Sequence, residues 1–190
     1  MSIVIVDSGG ANLTSIKNAF EKISSQAVVS IDENIISNAS YVILPGVGSA
    51  QMVMQSLISN NLVNVIKSLT QPVLGICVGM QILFNSSEEQ NCKCLGLIND
   101  DIKKFNLPKD KAVPHMGWNK VIFESEQLLS NYYYFANSYY APITKDTTGI
   151  CEYGIEFSAT VQKDNFFGCQ FHPEKSSNSG IKFIQNFLKY

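Results

Sequence analysis

Three times in the first eighty residues, a short unbroken run of apolar, mostly β-branched residues stops at a glycine-bearing turn. Ile3-Val4-Ile5-Val6 ends at Asp7-Ser8-Gly9-Gly10, Tyr41-Val42-Ile43-Leu44 ends at Pro45-Gly46-Val47-Gly48, and Val73-Leu74-Gly75-Ile76 runs into Cys77-Val78-Gly79. Runs without polar alternation suit strands covered on both faces, which is the condition inside a parallel sheet. Helical spacing follows each run. Leu13, Ile16, Ala19, Phe20 and Ile23 recur on one stripe with Asn12 placed to cap it, and Met52, Val53 and Leu57 are followed by Leu62, Val65, Ile66 and Leu69. Ala27-Val28-Val29 starts a further unit of the same kind, and Ile82-Leu83-Phe84 is expected to continue the helix that opens at Val78. The expected fold is α/β: a mixed, largely parallel sheet flanked by helices.

Past residue 100 the texture changes to short aromatic and β-branched runs: Lys120–Phe123, Tyr132–Phe135, Ser138–Tyr140 and Ser158–Val161. These predict antiparallel strands in the C-terminal half. Lys163-Asp164-Asn165 separates Ala159–Val161 from Phe166–Phe171 as a hairpin turn would. Helical spacing returns in Ile181, Phe183, Ile184, Phe187 and Leu188. At 190 residues, with no linker or repeat, the chain 1–190 is expected to be one domain.

Composition narrows the functions. All fourteen basic residues are lysine against sixteen acidic ones, so no arginine fork exists to grip phosphate or a guanine edge, and nucleic acid is not an expected partner. No apolar run reaches the ~18 residues of a membrane span, and the first residues lack a signal-peptide pattern, so a cytoplasmic protein is expected. The five cysteines, Cys77, Cys92, Cys94, Cys151 and Cys169, are an odd number without a secretory signal, which argues against a disulfide framework. Cys92 and Cys94 have no second pair at zinc-site spacing, so neither a metal nor a cofactor is expected.

Gly75-Ile76-Cys77-Val78-Gly79 has the form of a nucleophile elbow, in which flanking glycines relieve a sharp strand-to-helix turn and leave the nucleophile exposed on it. A structural cysteine at a strand end has the same local pattern. The second signal is Gln170-Phe171-His172-Pro173-Glu174: Pro173 cannot donate to a ladder, so the strand stops and leaves His172 and Glu174 at its end. His172 can then serve Cys77 as general base while Glu174 orients the ring, a cysteine triad in the order Cys, His, Glu.

With Leu-Pro-Gly-Val-Gly at 44–48 and Pro-His-Met-Gly-Trp-Asn at 114–119, these motifs span nearly the whole chain, and it resembles the class I, triad-type glutamine amidotransferases. Pro-Gly-Val-Gly together with His-Met-Gly-Trp-Asn is similar to the branch whose members hydrolyse L-glutamine and pass the ammonia to a separate (β/α)₈-barrel cyclase subunit in histidine biosynthesis. The resemblance implies Cys77 as nucleophile, His172 as base, Glu174 as orienting carboxylate, and Gln81, Glu89, Ser138 and Tyr139 as substrate contacts. It also implies Lys175 at the interface of a heterodimer with the barrel subunit. The backbone N–H of Val78, just after the nucleophile, is a candidate oxyanion donor, and the resemblance implies the loop Gly46-Val47-Gly48 as the second source. His115 is expected to pack or to lie at an interface and not to catalyse. Asn137 departs from the pattern, since many relatives have histidine there. Two alternatives stay open: the same chemistry serving a related barrel partner that amidinates surface sugars, and a peptidase, chaperone or redox protein built on the same elbow.

Overall fold

The computed structural model describes residues 1–9, 12–23, 26–46, 48–109, 111–123 and 130–190. In chain order the N-terminal half reads β1 (Ile3–Val6), α1 (Leu13–Glu21), β2 (Ala27–Ser30), α2 (Glu33–Ser37), β3 (Tyr41–Leu44), α3 (Ala50–Ser59), α4 (Leu62–Ser68), β4 (Val73–Ile76) and α5 (Val78–Gln81). There follow β5 (Phe84–Ser87), β6 (Cys92–Lys93), β7 (Ile98–Lys104), β8 (His115–Phe123), β9 (Asn131–Asn137), β10 (Tyr139–Tyr140), β11 (Thr147–Glu152), β12 (Glu156–Lys163), β13 (Phe166–Cys169) and α6 (Ser177–Phe187).

Nine strands form the main sheet in the order β2-β1-β3-β4-β13-β12-β11-β8-β9. The first five are mutually parallel, and from β13 onward each neighbour is antiparallel. Every residue of β1, β3 and β4 is buried, as their unbroken apolar runs predict. The joint is β13, which pairs parallel with β4 in register Gly168↔Gly75 and Cys169↔Ile76, and antiparallel with β12 through a turn carrying Asp164 at φ 52. This single strand brings the ends of β4 and β13, and hence Cys77 and the segment after Cys169, side by side. The Cys77 N–H donates to the Cys169 carbonyl at 2.8 Å and closes that contact. Helices α2, α3, α4 and α5 contact one another, while α1 and α6 meet around a 3₁₀ turn at Pro173–Lys175. A second, four-stranded sheet, β10-β7-β5-β6, lies beside the elbow helix.

Two local expectations are corrected. The helix opened at Val78 is four residues long: Ile82 caps it, and Phe84 begins β5, paired with Ile98 of β7. Ile82, Leu83 and Phe84 are all fully buried, so their apolar character reflects burial on every side and carries no helical stripe. Asn12 does sit at the N-cap position of α1, but at φ 86 and without a side-chain capping bond. The antiparallel half also holds more than the aromatic runs predicted, with β8 starting at His115 and β11 unforeseen, because buried positions such as His115, Thr147 and Gly149 themselves carry little apolar signal.

The elbow depends on missing side chains. A Cβ at Gly79 would collide with the Leu44 carbonyl, one at Gly46 with the Gly79 N–H, and one at Gly75 with the Gly79 carbonyl. The loop after β3, the end of β4 and the first turn of α5 therefore touch backbone to backbone. None of these atoms can swing aside, so Gly79→Ala is expected to cost at least the ~3 kcal/mol at the top of the usual overpacking range. A denaturant midpoint unchanged from wild type would refute this reading of the elbow.

Candidate active site

Cys77 occupies the turn with φ 55 and ψ −113, a conformation costly for a side-chain-bearing residue and held by the glycine contacts around it. Its side chain opens into a cleft lined by Gly48, Cys77, Val78, Gln81, Glu89, Ala136, Asn137, Ser138 and Tyr139, with about 400 Å³ of space including its open mouth. That volume suits a small metabolite. The structure thus gathers Val78, Gln81, Glu89, Ser138 and Tyr139 around the same cavity as Cys77, although they come from three separate stretches of chain. Val47 lies outside the described residues.

His172 follows β13 and precedes the 3₁₀ turn that carries Glu174. Its Nδ1 lies 2.8 Å from Glu174 Oε1, and the Glu174 side chain is only 1% exposed. Burial alone would pull the imidazole down, but hydrogen bonds and charge from Cys77 and Glu174 outweigh it and hold the ring up at about 10. A proton leaving the Cys77 thiol would therefore have a stable place on the ring, whose orientation the contact with Glu174 fixes. The loop is pinned by its own main chain. The His172 N–H donates to the Tyr134 carbonyl at 2.8 Å, and buried Ser176 donates to the His172 carbonyl at 2.6 Å while accepting from the Tyr134 N–H at 2.9 Å.

Two participants were missed in the sequence. Asn12 donates from Nδ2 to Glu174 Oε1 at 3.3 Å, so the residue that reads as a helix cap instead holds the far carboxylate. Gln170, wholly buried, donates from Nε2 to Cys77 Sγ at 3.7 Å and accepts from Gln81 Nε2 at 2.8 Å. The only available signal for Gln170 was its place two residues before His172. Gln81 also donates to the Tyr139 carbonyl at 3.1 Å, and Glu89 Oε2 accepts from the Ala50 N–H at 2.8 Å, so both are bonded within the cleft wall.

Asn137 is buried and donates to the same Tyr139 carbonyl at 2.9 Å, which is a task that a neutral histidine could also perform. His115, opposite Asn137 across the β8–β9 ladder, is packed. Its ring stacks between Phe135 at 4.8 Å and Tyr153 at 3.9 Å, and burial, helped by nearby Lys111, pushes it down to about 4, so it stays neutral. Lys175 is exposed, its ammonium 5.9 Å above the Tyr134 ring. Tyr134 in turn meets Trp118 edge to face at 6.3 Å. Met116, Trp118, Ile122 and Tyr132, each more than half exposed, extend this apolar face along β8 and β9.

The remaining thiols are placed differently from Cys77. Burial pushes Cys94 and Cys151 up to about 12 and Cys169 well above the ordinary thiol range, and it also raises Cys92. Brief treatment with iodoacetamide near neutral pH is expected to label Cys77 at least tenfold faster than any of the other four. Peptide mass spectrometry showing equal labelling would overturn that selectivity.

The family model "Glutamine amidotransferase class-I" matches residues 4–190 of the chain. Among curated proteins, imidazole glycerol phosphate synthase subunit HisH of Shewanella sediminis is 46% identical over 197 residues, covering 98% of this chain and 90% of its own. The subunit of the same name from Escherichia coli K12 is 44% identical over 199 residues, covering all of both chains. A solved glutamine amidotransferase structure superposes with a TM-score of 0.77 at 14% identity, covering 98% of this chain and 97% of that one, and so attests to the fold.

Proposed function

Because the chain belongs to the class-I glutamine amidotransferase family, we propose that it is the glutaminase subunit of an imidazole glycerol phosphate synthase, hydrolysing L-glutamine and delivering ammonia to a (β/α)₈-barrel cyclase subunit. In that pathway step the cyclase uses the ammonia to form imidazole glycerol phosphate and AICAR for histidine biosynthesis. The observation that carries the reading is the His172–Glu174 contact of 2.8 Å set behind a cysteine on a strained elbow in a cleft of metabolite size. The residues 1–190 act as one domain in this reading, and its buried, unpaired thiols accord with a cytosolic location.

The geometry of Cys77, His172 and Glu174 supports the following steps. The Cys77 sulfur attacks the side-chain amide carbon of glutamine, and the carbonyl π pair moves onto oxygen. The N–H of Val78, just after the nucleophile, is one donor for that oxyanion, and the peptide at Val47 is the proposed second. The proton taken from Cys77 by His172 passes to the amide nitrogen as the C–N bond breaks, and ammonia leaves. Water then adds to the thioester with His172 taking its proton. Collapse breaks the C–S bond, releases glutamate and returns the pair to sulfur. Gln81, Glu89, Ser138 and Tyr139 line the space for the amino-acid end, where the carboxylate of Glu89 suits the substrate ammonium. Since the nucleophile is needed only to make ammonia, Cys77→Ser is expected to abolish glutamine-dependent turnover of the complex and to leave ammonium-dependent turnover intact. Loss of both activities, or survival of the glutaminase, would defeat the assignment.

The barrel partner is proposed to cover the face of β8 and β9. Exposed Met116, Trp118, Ile122 and Tyr132 form an apolar patch with Lys175 at its edge, a composition typical of interface cores with a charged rim. In this reading the patch adjoins the cleft wall through Ala136, so a docked acceptor closes over the site that releases ammonia. Trp118→Asp is expected to weaken association with the barrel subunit by about 30-fold, the loss of a hot-spot aromatic. Calorimetric titration giving the wild-type dissociation constant would place the interface elsewhere.

A further inference from the structure

The bonding around Tyr139 decides which way the buried amides point. The Tyr139 carbonyl can only accept, and it receives one N–H from Asn137 at 2.9 Å and one from Gln81 at 3.1 Å, which fills both lone pairs. Gln81 must therefore turn its nitrogen toward this carbonyl. Its second amide hydrogen then reaches Gln170 at 2.8 Å, and because that contact needs an acceptor, Gln170 presents its oxygen there. An amide has one oxygen and one nitrogen, so the Gln170 nitrogen is forced to the other side, toward Cys77 Sγ at 3.7 Å. Orientation thus propagates from a main-chain carbonyl in the cleft wall, through two side chains that are 2% and 0% exposed, to the reacting sulfur.

Resting on the glutaminase reading above, we propose that Gln170 is a further catalytic residue, an N–H donor to the Cys77 sulfur whose orientation is set by Gln81. A bond donated to sulfur favours the thiolate over the thiol. It acts twice: before attack, when the sulfur carries the pair that forms the C–S bond, and at collapse of the second tetrahedral adduct, when that bond breaks and the pair returns to sulfur. His172 supplies and removes protons on one side of the sulfur. Gln170 moves no proton and supplies a fixed dipole. Gln81 touches no reacting atom through this chain and acts as a positioning residue.

The test separates this role from packing. Gln170→Met keeps the side-chain length and removes the N–H, and Gln81→Met leaves Gln170 in place but frees its amide to turn. The first readout is the iodoacetamide alkylation rate of Cys77 from pH 6 to 10, which needs no substrate and no partner. In Gln170→Met the rate at pH 6.5 relative to that at pH 9.5 is expected to fall at least fivefold, and in Gln81→Met to fall by a smaller factor in the same direction. In the complex with the barrel subunit, kcat for glutamine is expected to fall at least tenfold in Gln170→Met while KM changes less than threefold. Gln170→Glu, which keeps the volume and adds a negative charge beside the sulfur, is expected to shift the alkylation profile in the same direction and further. Unchanged alkylation profiles in folded Gln170→Met and Gln81→Met proteins would overturn the proposal even if turnover falls. Should Gln170→Met not fold, the Gln81→Met profile alone decides it, an unchanged profile being refutation. Wild-type protein that alkylates at Cys77 with the expected profile but releases no glutamate from glutamine with its barrel partner would defeat the glutaminase reading and leave the Gln170 bond standing.

Discussion

The backbone contact between Gly79 and the chain at Leu44 and Gly46 is the constraint on which the rest of this structure depends. Two strand ends and a helix start are pressed together without side chains between them, and the outcome is a cysteine at φ 55 whose sulfur faces open space. A conformation of that kind costs of order 1–3 kcal/mol and persists only where its surroundings over-determine it. Here they do so through the bond from the Cys77 N–H to the Cys169 carbonyl and through the strands on either side, β3, buried throughout, and β13, buried at all but Phe167. The same register that seats the elbow delivers the chain leaving β13 to the sulfur.

The site is built from polar groups that restrain one another inside an apolar surround. Glu174 holds His172 and is itself held by Asn12 from the start of α1, so the sheet's first crossover and its last loop meet at one carboxylate oxygen. Burying such a charge is favourable only when it is paired and hydrogen-bonded, and the raised His172 ring is the matching half. The cleft wall opposite is a second network, in which Asn137, Gln81 and Gln170 converge on the Tyr139 carbonyl and Cys77. Asn137 supplies one of the donors that this network requires.

Strand β9 has two faces with different duties. Tyr132 and Tyr134 look outward toward the proposed partner surface, while Tyr133 and Phe135 are buried in the core. The main chain of Tyr134 binds both His172 and Ser176, so the strand that carries the exposed patch also positions the loop of His172 and Glu174. An edge strand with exposed aromatic residues invites association, and in the proposed heterodimer the barrel subunit would occupy it.

What the sequence determined by itself was local and chemical. Unbroken β-branched runs marked the parallel strands because burial on both faces leaves no room for polar alternation, and Gly75, Cys77 and Gly79 marked the elbow because a sharp turn around a nucleophile needs glycine on both sides. His172 and Glu174 were legible because Pro173 ends a strand wherever it occurs. Tertiary structure decided what depends on distant segments meeting. Asn12 reads as a cap until Glu174, 162 residues away, is seen to claim its side chain. Ile82-Leu83-Phe84 reads as helix until β7 offers Phe84 a partner. Gln170 and Gln81 read as ordinary glutamines until the parallel pairing of β13 with β4 sets their amides beside Cys77, because a hydrogen bond depends on position and angle in space and neither is written in local spacing.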